Sequence, residues 1–319
     1  MINRKVIRRK ALQNLYRQKY LQAEARDIKS ALKKDLEAVY CLYLYLLNTL
    51  EEVSAYSRRY YDEKQGSFLP FRDKFQSSYR FSENFMIRKL NESKDYQKLK
   101  DSYQVFWADE DNLLRRMFLD FKASDLYQEY IHSREQAAFE EEEILLYFLR
   151  HYTKHFNLYR QHLEELYPNF QDDQKLAVNM ASKTIRNIAA DPENEDFIVP
   201  LAMEWEEKLE YAFDLIDKSS EVEQEYNDYI LPLITQWEPS QLATIDVIIM
   251  RMVLAEYLYF PSIPTQVTMN EYLELAKNFS QPGSKKFLNA VLDKACKNLE
   301  KEGKIKKSGT GLFKNSAQS

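Results

Sequence analysis

The stretch 245-IDVIIMRMVLAEY-257, from Ile245 to Tyr257, decides the fold: nearly every position is apolar, and Asp246, Arg251 and Glu256 are its only charges. It contains no Gly or Pro and follows Glu238-Pro239-Ser240, a helix-start signal. A helix that is apolar nearly all round is stable in water only when other helices cover it. Working outward, Met269, Leu273, Ala276 and Phe279 recur at helical spacing, and so do Phe287, Leu288, Val291, Leu292, Ala295 and Leu299. On the amino side, Trp205, Leu209, Ala212, Phe213 and Ile216 predict one more helix. Tyr226, Tyr229, Ile230, Leu233, Ile234 and Trp237 predict another, kinked at Pro232.

Composition points the same way. Only 5 glycines occur in 319 residues, too few for a hairpin-rich fold, while 30% charged and 45% hydrophobic residues suit an all-α globular chain. The net charge of −5 argues against a nucleic-acid binder by its sum. The distribution argues otherwise, because Arg4, Lys5, Arg8, Arg9, Lys10, Arg17 and Lys19 all precede the first acid, Glu24. Cys41 and Cys296 read as reduced core residues of a cytoplasmic protein. The amino end has no apolar leader segment, and Val39 to Leu50 is too short to span a bilayer, so no membrane is expected. No Gly-rich phosphate loop, nucleophile elbow or dinucleotide fingerprint occurs, and no catalysis or cofactor is expected.

A first helix is expected from about Arg4 to Lys19, with Ile7, Ala11, Leu12, Leu15 and Tyr16 on its inner arc. Arg9, Lys10, Gln13 and Arg17 then fall on the solvent arc, Arg4, Lys5 and Arg8 at the fraying end, and all these cations are expected to be free to reach a partner. Lys and Arg neutralise phosphates and flat side chains stack on bases, so Tyr16 and Tyr20 complete a candidate RNA-binding pattern. A long helix follows through Leu32, Leu36, Val39, Tyr43, Leu46, Leu50 and Val53, broken at Gln65-Gly66-Ser67 and Pro70. Short helices and loops are expected up to about Lys100, then helical patterns over Tyr103 to Phe121, one long helix from Phe139 to Leu166, and a shorter one from Leu176 to Ala189. His151, His155 and His162 share one face of that long helix. With Glu165 or Glu142 they could hold zinc, but a polar outer face is the preferred reading, and no metal is expected. The run Glu140 to Glu143 suits a helix start. Asn270 and Asn289 are expected to cap or tie helices together, Ser284 to cap the last helix after a turn at Pro282-Gly283, and residues after Glu302 to form a flexible tail.

The run VIIMRMVLAEYLY, then IPTQVTMNEYLELAKNF, then GSKKFLNAVLDKA resembles the carboxyl-terminal half of the NusB family of transcription antitermination factors. Asp246, Arg251, Glu256, Pro264, Val267, Asn270, Glu271, Ala276, Lys277, Phe279, Phe287, Asn289, Val291, Leu292 and Asp293 fall on the pattern. The order Glu256-Tyr257, Gln266 and Ala290 depart from it. The opening NRKVIRRKALQNLY resembles that family's Arg-rich first helix. The resemblance implies an all-α NusB-like bundle made of a basic first helix (1–24) and a core (196–302), separated by a helical insertion (25–195) and followed by a tail (303–319). It implies binding of boxA-type single-stranded leader RNA of ribosomal RNA operons, together with the ribosomal small-subunit protein NusE, on the transcribing RNA polymerase. The RNA contacts it implies are Arg4, Lys5, Arg8, Arg9, Lys10 and Phe287, although Gly283 or Ser284 stands where the family has an acid before that Phe. From periodicity alone, Phe287 fits a core stripe with Val291 and Ala295 equally well. The competing readings are a protein-binding helical scaffold without RNA affinity and the targeting domain of an RNA-modifying enzyme, which requires a downstream cofactor-binding region.

Overall fold

The computed structural model describes residues 1–21, 25–66, 79–107, 111–133, 137–234 and 242–312. Among these residues there is no strand; the chain is all-α. In order, the helices are α1 (Arg4–Leu21), α2 (Ala25–Gly66), α3 (Phe85–Glu92), α4 (Lys94–Ser102), α5 (Asp111–Ala123), α6 (Asp125–His132) and α7 (Ala138–His155). There follow α8 (Asn157–Leu166), α9 (Phe170–Ala190), α10 (Trp205–Glu221), α11 (Glu223–Tyr229), α12 (Thr244–Tyr259), α13 (Thr265–Phe279) and α14 (Ser284–Lys301). The chain divides into two compact units. One comprises Glu37–Leu201 with Met1, the other Ile2–Leu36 with the chain from Ala202 onward, and the division falls inside α2.

The second unit is built on α12, the quoted stretch. Ile249, Met250, Met252, Val253, Leu254 and Ala255 are fully buried, because α1, α10, α11, α13 and α14 all pack against it. Burying one such aliphatic side chain contributes about 1.5–3 kcal/mol, so this helix is the main apolar source of the unit's stability. The start signal at Glu238-Pro239-Ser240 and the periodic Trp237 lie outside the described residues. Pro232 sits in a short 3-10 turn, Leu231–Leu233, after α11 has ended, so it terminates a helix rather than kinking one. At the base of α12 the buried Asp246 carboxylate accepts from Ser280 Oγ at 2.6 Å and Ser284 Oγ at 2.7 Å, tying the end of α13 and the start of α14 to it. Ser284 is therefore a tie rather than a side-chain cap. The cap position is Gly283 at φ 101°, a left-handed conformation that a side chain would strain. Asn270 and Asn289 are exposed and tie no helices together; the expectation for them fails because both point outward from their stripes.

The first unit surrounds an aromatic cluster: the Phe121 ring lies 5.1 Å from Phe81, 4.8 Å from Tyr127 and 5.1 Å from Phe148, which stacks on Tyr152 at 4.4 Å. The acidic helix start is put to structural use: Arg80 is clamped by Glu141 at 2.9 Å and Glu140 at 2.6 Å. The long helix expected over Phe139 to Leu166 is two helices. Phe156 turns extended (φ −90°, ψ 98°) between α7 and α8, and Gln174 of α9 caps the Thr153 carbonyl that the break exposes, at 2.7 Å. His162 consequently leaves the face shared by His151 and His155 and meets Tyr45 Oη at 2.5 Å. Helix α9 begins at Phe170, one and a half turns before the expected Leu176. Tyr103 to Trp107 are not helical, and Ser67 and Pro70 lie outside the described residues.

Candidate nucleic-acid interface

The geometry of the basic first helix is set by one buried carboxylate. Glu256 of α12 is fully buried, and Arg8 of α1 meets it in a two-pronged pair, Nε to Oε1 at 2.6 Å and Nη2 to Oε2 at 2.9 Å. Tyr211 Oη of α10 donates to the same carboxylate at 2.6 Å, and Thr268 Oγ1 and Tyr272 Oη of α13 donate at 2.8 and 3.0 Å. Three helices thus converge on one side chain of a fourth. A buried ion pair is tolerable only when further hydrogen bonds satisfy its remaining lone pairs, as they do here. Burial works against the Arg8 charge, but the neighbouring Tyr211 and the bond to Glu256 outweigh it and raise the guanidinium further. Burial and Glu256 together push the Tyr211 and Tyr272 phenols well above their ordinary range, which keeps both as donors.

This arrangement corrects the reading of α1. Arg8 is only 3% exposed and Lys10 is fully buried, so neither is free to reach a partner. The reason is register: Arg8 shares a stripe with Leu12 and Leu15, and Lys10 one with Ile7 and Asn14, whose amide donates to Asp35 at 2.7 Å. Arg4, Lys5 and Arg17 are exposed and Arg9 is half-buried. The Arg4 guanidinium lies over the Tyr211 ring at 5.5 Å. Tyr16 and Tyr20 pack ring to ring at 4.8 Å, with Tyr20 largely exposed.

The other expected contact, Phe287, is half-buried in the first turn of α14, next to the core residues Leu288 and Val291. Two residues earlier in α14, Lys285 Nζ pairs with Glu274 of α13 at 2.6 Å. That bond, and the positive charges of Lys285, Lys277 and Lys5, hold the Glu274 carboxyl below its usual range. Helices α1, α13 and α14 therefore each bring one cation, Lys5, Lys277 and Lys285, to bear on Glu274, and Phe287 stands in the same first turn of α14 as Lys285. The sequence reading missed Lys277 and Lys285, although Lys285-Lys286 immediately before Phe287 was a visible signal.

The residues expected to form a tail are ordered as far as 312. Lys307 Nζ donates to the Glu256 and Phe260 carbonyls at 2.9 and 3.0 Å, closing the carboxyl end of α12. Ser308 N–H donates to the Pro261 carbonyl at 3.0 Å, and Thr310 Oγ1 to that of Ser262 at 2.8 Å. Burial lowers the Lys307 amine to about 8. Residues 313–319 lie outside the described residues. Cys41 and Cys296 are free and half-buried, and burial pushes both thiols up to about 11, away from reactivity. Among the described residues no group of three or more His, Cys, Asp or Glu side chains could hold a metal ion, and no helix is long and apolar enough to cross a membrane.

Fold and site together define an all-α protein whose cationic leading helix is locked onto an apolar central one. Residues 171–297 match the NusB family. The chain is 30% identical over 153 residues to the transcription antitermination protein NusB of Salinibacter ruber, covering 48% of this chain and 87% of that one. It is 36% identical over 101 residues to that of Koribacter versatilis (32% and 69%), and 40% identical over 73 residues to that of Chloroherpeton thalassium (23% and 35%). No solved structure matches. The chain belongs to the NusB family. The family match starts at residue 171, so α9, within the segment expected to be an insertion, belongs to the family-like part of the chain.

Proposed function

We propose that this protein is a transcription antitermination factor that holds boxA-type single-stranded RNA together with the ribosomal protein NusE, on the transcribing polymerase in the cytoplasm. Family membership supports the coarse reading, and the relatives' names speak of transcription antitermination. The observation that carries the RNA reading is the gathering of Lys5, Lys277 and Lys285 about Glu274, with the half-buried Phe287 in the same first turn of α14 as Lys285. A cluster of cations and a half-exposed aromatic side chain on the same helix as one of them suit single-stranded RNA, which needs phosphate neutralisation and a stacking surface at once.

In this proposal Arg4, Lys5 and Arg9 contact phosphates and Phe287 stacks on a base. Arg8 and Lys10 act from inside the fold, Arg8 by fixing α1 on Glu256. The mildly acidic whole, at −5, suits a basic ribosomal partner. The test is fluorescence anisotropy of a labelled boxA-like oligonucleotide, with and without the ribosomal protein. Binding that tightens when the ribosomal protein is added is expected; RNA affinity indifferent to it would contradict the adaptor role.

A further inference from the structure

Helix α7 carries a pattern that the proposed function does not use. Tyr147, Arg150, His151, Lys154 and His155 stand at spacings of zero, three, four, seven and eight, which places all five on one face of the helix. The other side of the helix, Leu145, Phe148, Leu149 and Tyr152, is buried in the core of the first unit, so the helix cannot roll to hide the first. Tyr147 stacks between Phe121 (6.4 Å, planes 19° apart) and His151 (5.1 Å, 20°), and the exposed His155 ring stands 5.3 Å beyond His151, tilted by 45°. The five residues line an open groove of about 690 Å³ together with Leu126 and Phe139, the latter 63% exposed.

Charge is sorted along this groove. Its acids, Glu142 and Glu143, lie toward the amino end of α7, and Glu142 is occupied by Arg186 at 3.4 Å. At the other end Arg150 and Lys154 are exposed, and among the described residues neither has a carboxylate within ion-pair distance. The helix dipole favours cations in the last turn of α7, but it gives no reason for a ladder of flat rings threaded between them.

We propose that this face of α7 is a second contact for single-stranded RNA: Arg150 and Lys154 take phosphates while the Tyr147–His151–His155 column offers bases a stacking surface. The inference rests on the RNA-binding reading of the protein and adds a site outside the basic first helix. An acidic protein segment would use the two cations and leave the rings idle, so RNA fits more of the observed features.

The test is equilibrium binding of an unstructured oligoribonucleotide to the full chain across a salt series. It compares wild type, the double variant R150E/K154E, the variant Tyr147→Ala and, separately, R4A/K5A on α1. Each phosphate contact to a single strand contributes about 0.7 to the salt slope, so losing two lowers the slope by about 1.4 and the affinity at physiological salt by about tenfold. Tyr147→Ala is expected to weaken binding without changing the slope, with an unaltered circular-dichroism spectrum showing that α7 is intact. Wild-type affinity and slope in R150E/K154E, with R4A/K5A impaired, would overturn this inference alone. No RNA binding by the wild type would overturn the RNA reading as a whole. Photocrosslinking of thiouridine-substituted RNA supplies an independent readout: adducts on the peptide holding residues 147–155 are expected, and adducts confined to α1 and α14 count against the site.

Discussion

Glu256 is the residue on which the second unit turns. It is one of two acids in an apolar helix, and its position makes sense once Arg8, Tyr211, Thr268 and Tyr272 are seen around it. Removing one member of a buried pair leaves the other charge unsatisfied and costs about 3–5 kcal/mol. Arg8→Ala is therefore expected to lower stability by about that amount in denaturant unfolding, while exposed Lys5→Ala changes it by no more than about 0.5 kcal/mol. Equal effects would contradict the division between an anchoring Arg8 and an outward Lys5. Lys307 gives a pH signature. Its amine sits at about 8 in the fold against 10.5 in the open chain, so between those values the unfolded chain holds a proton that the folded chain has released. Stability relative to the variant Lys307→Met should rise from pH 8 to about 10.5 and stay level below pH 8. A flat difference across that window would show that Lys307 does not bind the end of α12.

At the scale of elements, α12 was legible because a continuously apolar helix has one physical solution, and its neighbours announced themselves by their spacing. Leu254→Ala in its fully buried centre is expected to cost about 2–5 kcal/mol, measured by chemical denaturation, whereas exposed Val267→Ala on α13 should be nearly silent. The extent of α1 was legible too, but its orientation was not. A wheel counts apolar residues, and nothing in 4-RKVIRRK-10 separates an arginine that meets a buried glutamate from one that meets water. The glutamate that decides it lies 248 residues away. The break between α7 and α8 left no Gly or Pro to read; it is made by Phe156 and sustained by a side chain of α9. The order in residues 304–312 was hidden for a similar reason, since their partners are carbonyls at the end of α12 and carry no side-chain signal.

At the scale of the molecule, the family match is confined to residues 171–297, about two fifths of the chain, and more than half the sequence precedes it. Of the proposed interface, the cations of α1 and Phe287 could be named from sequence, while their neighbours Lys277 and Lys285 needed the fold to bring α13 and α14 alongside. Arg8 is held by Glu256 while Arg4 and Lys5 stay exposed on the same helix, where the proposed RNA contact requires them. The most direct measurement is the salt dependence of boxA-like RNA binding for wild type and for the variant carrying Arg4→Ala and Lys5→Ala. The variant should keep wild-type stability, bind more weakly, and show a salt slope shallower by about 1.4. An unchanged affinity and slope would mean that the leading helix does not touch the RNA.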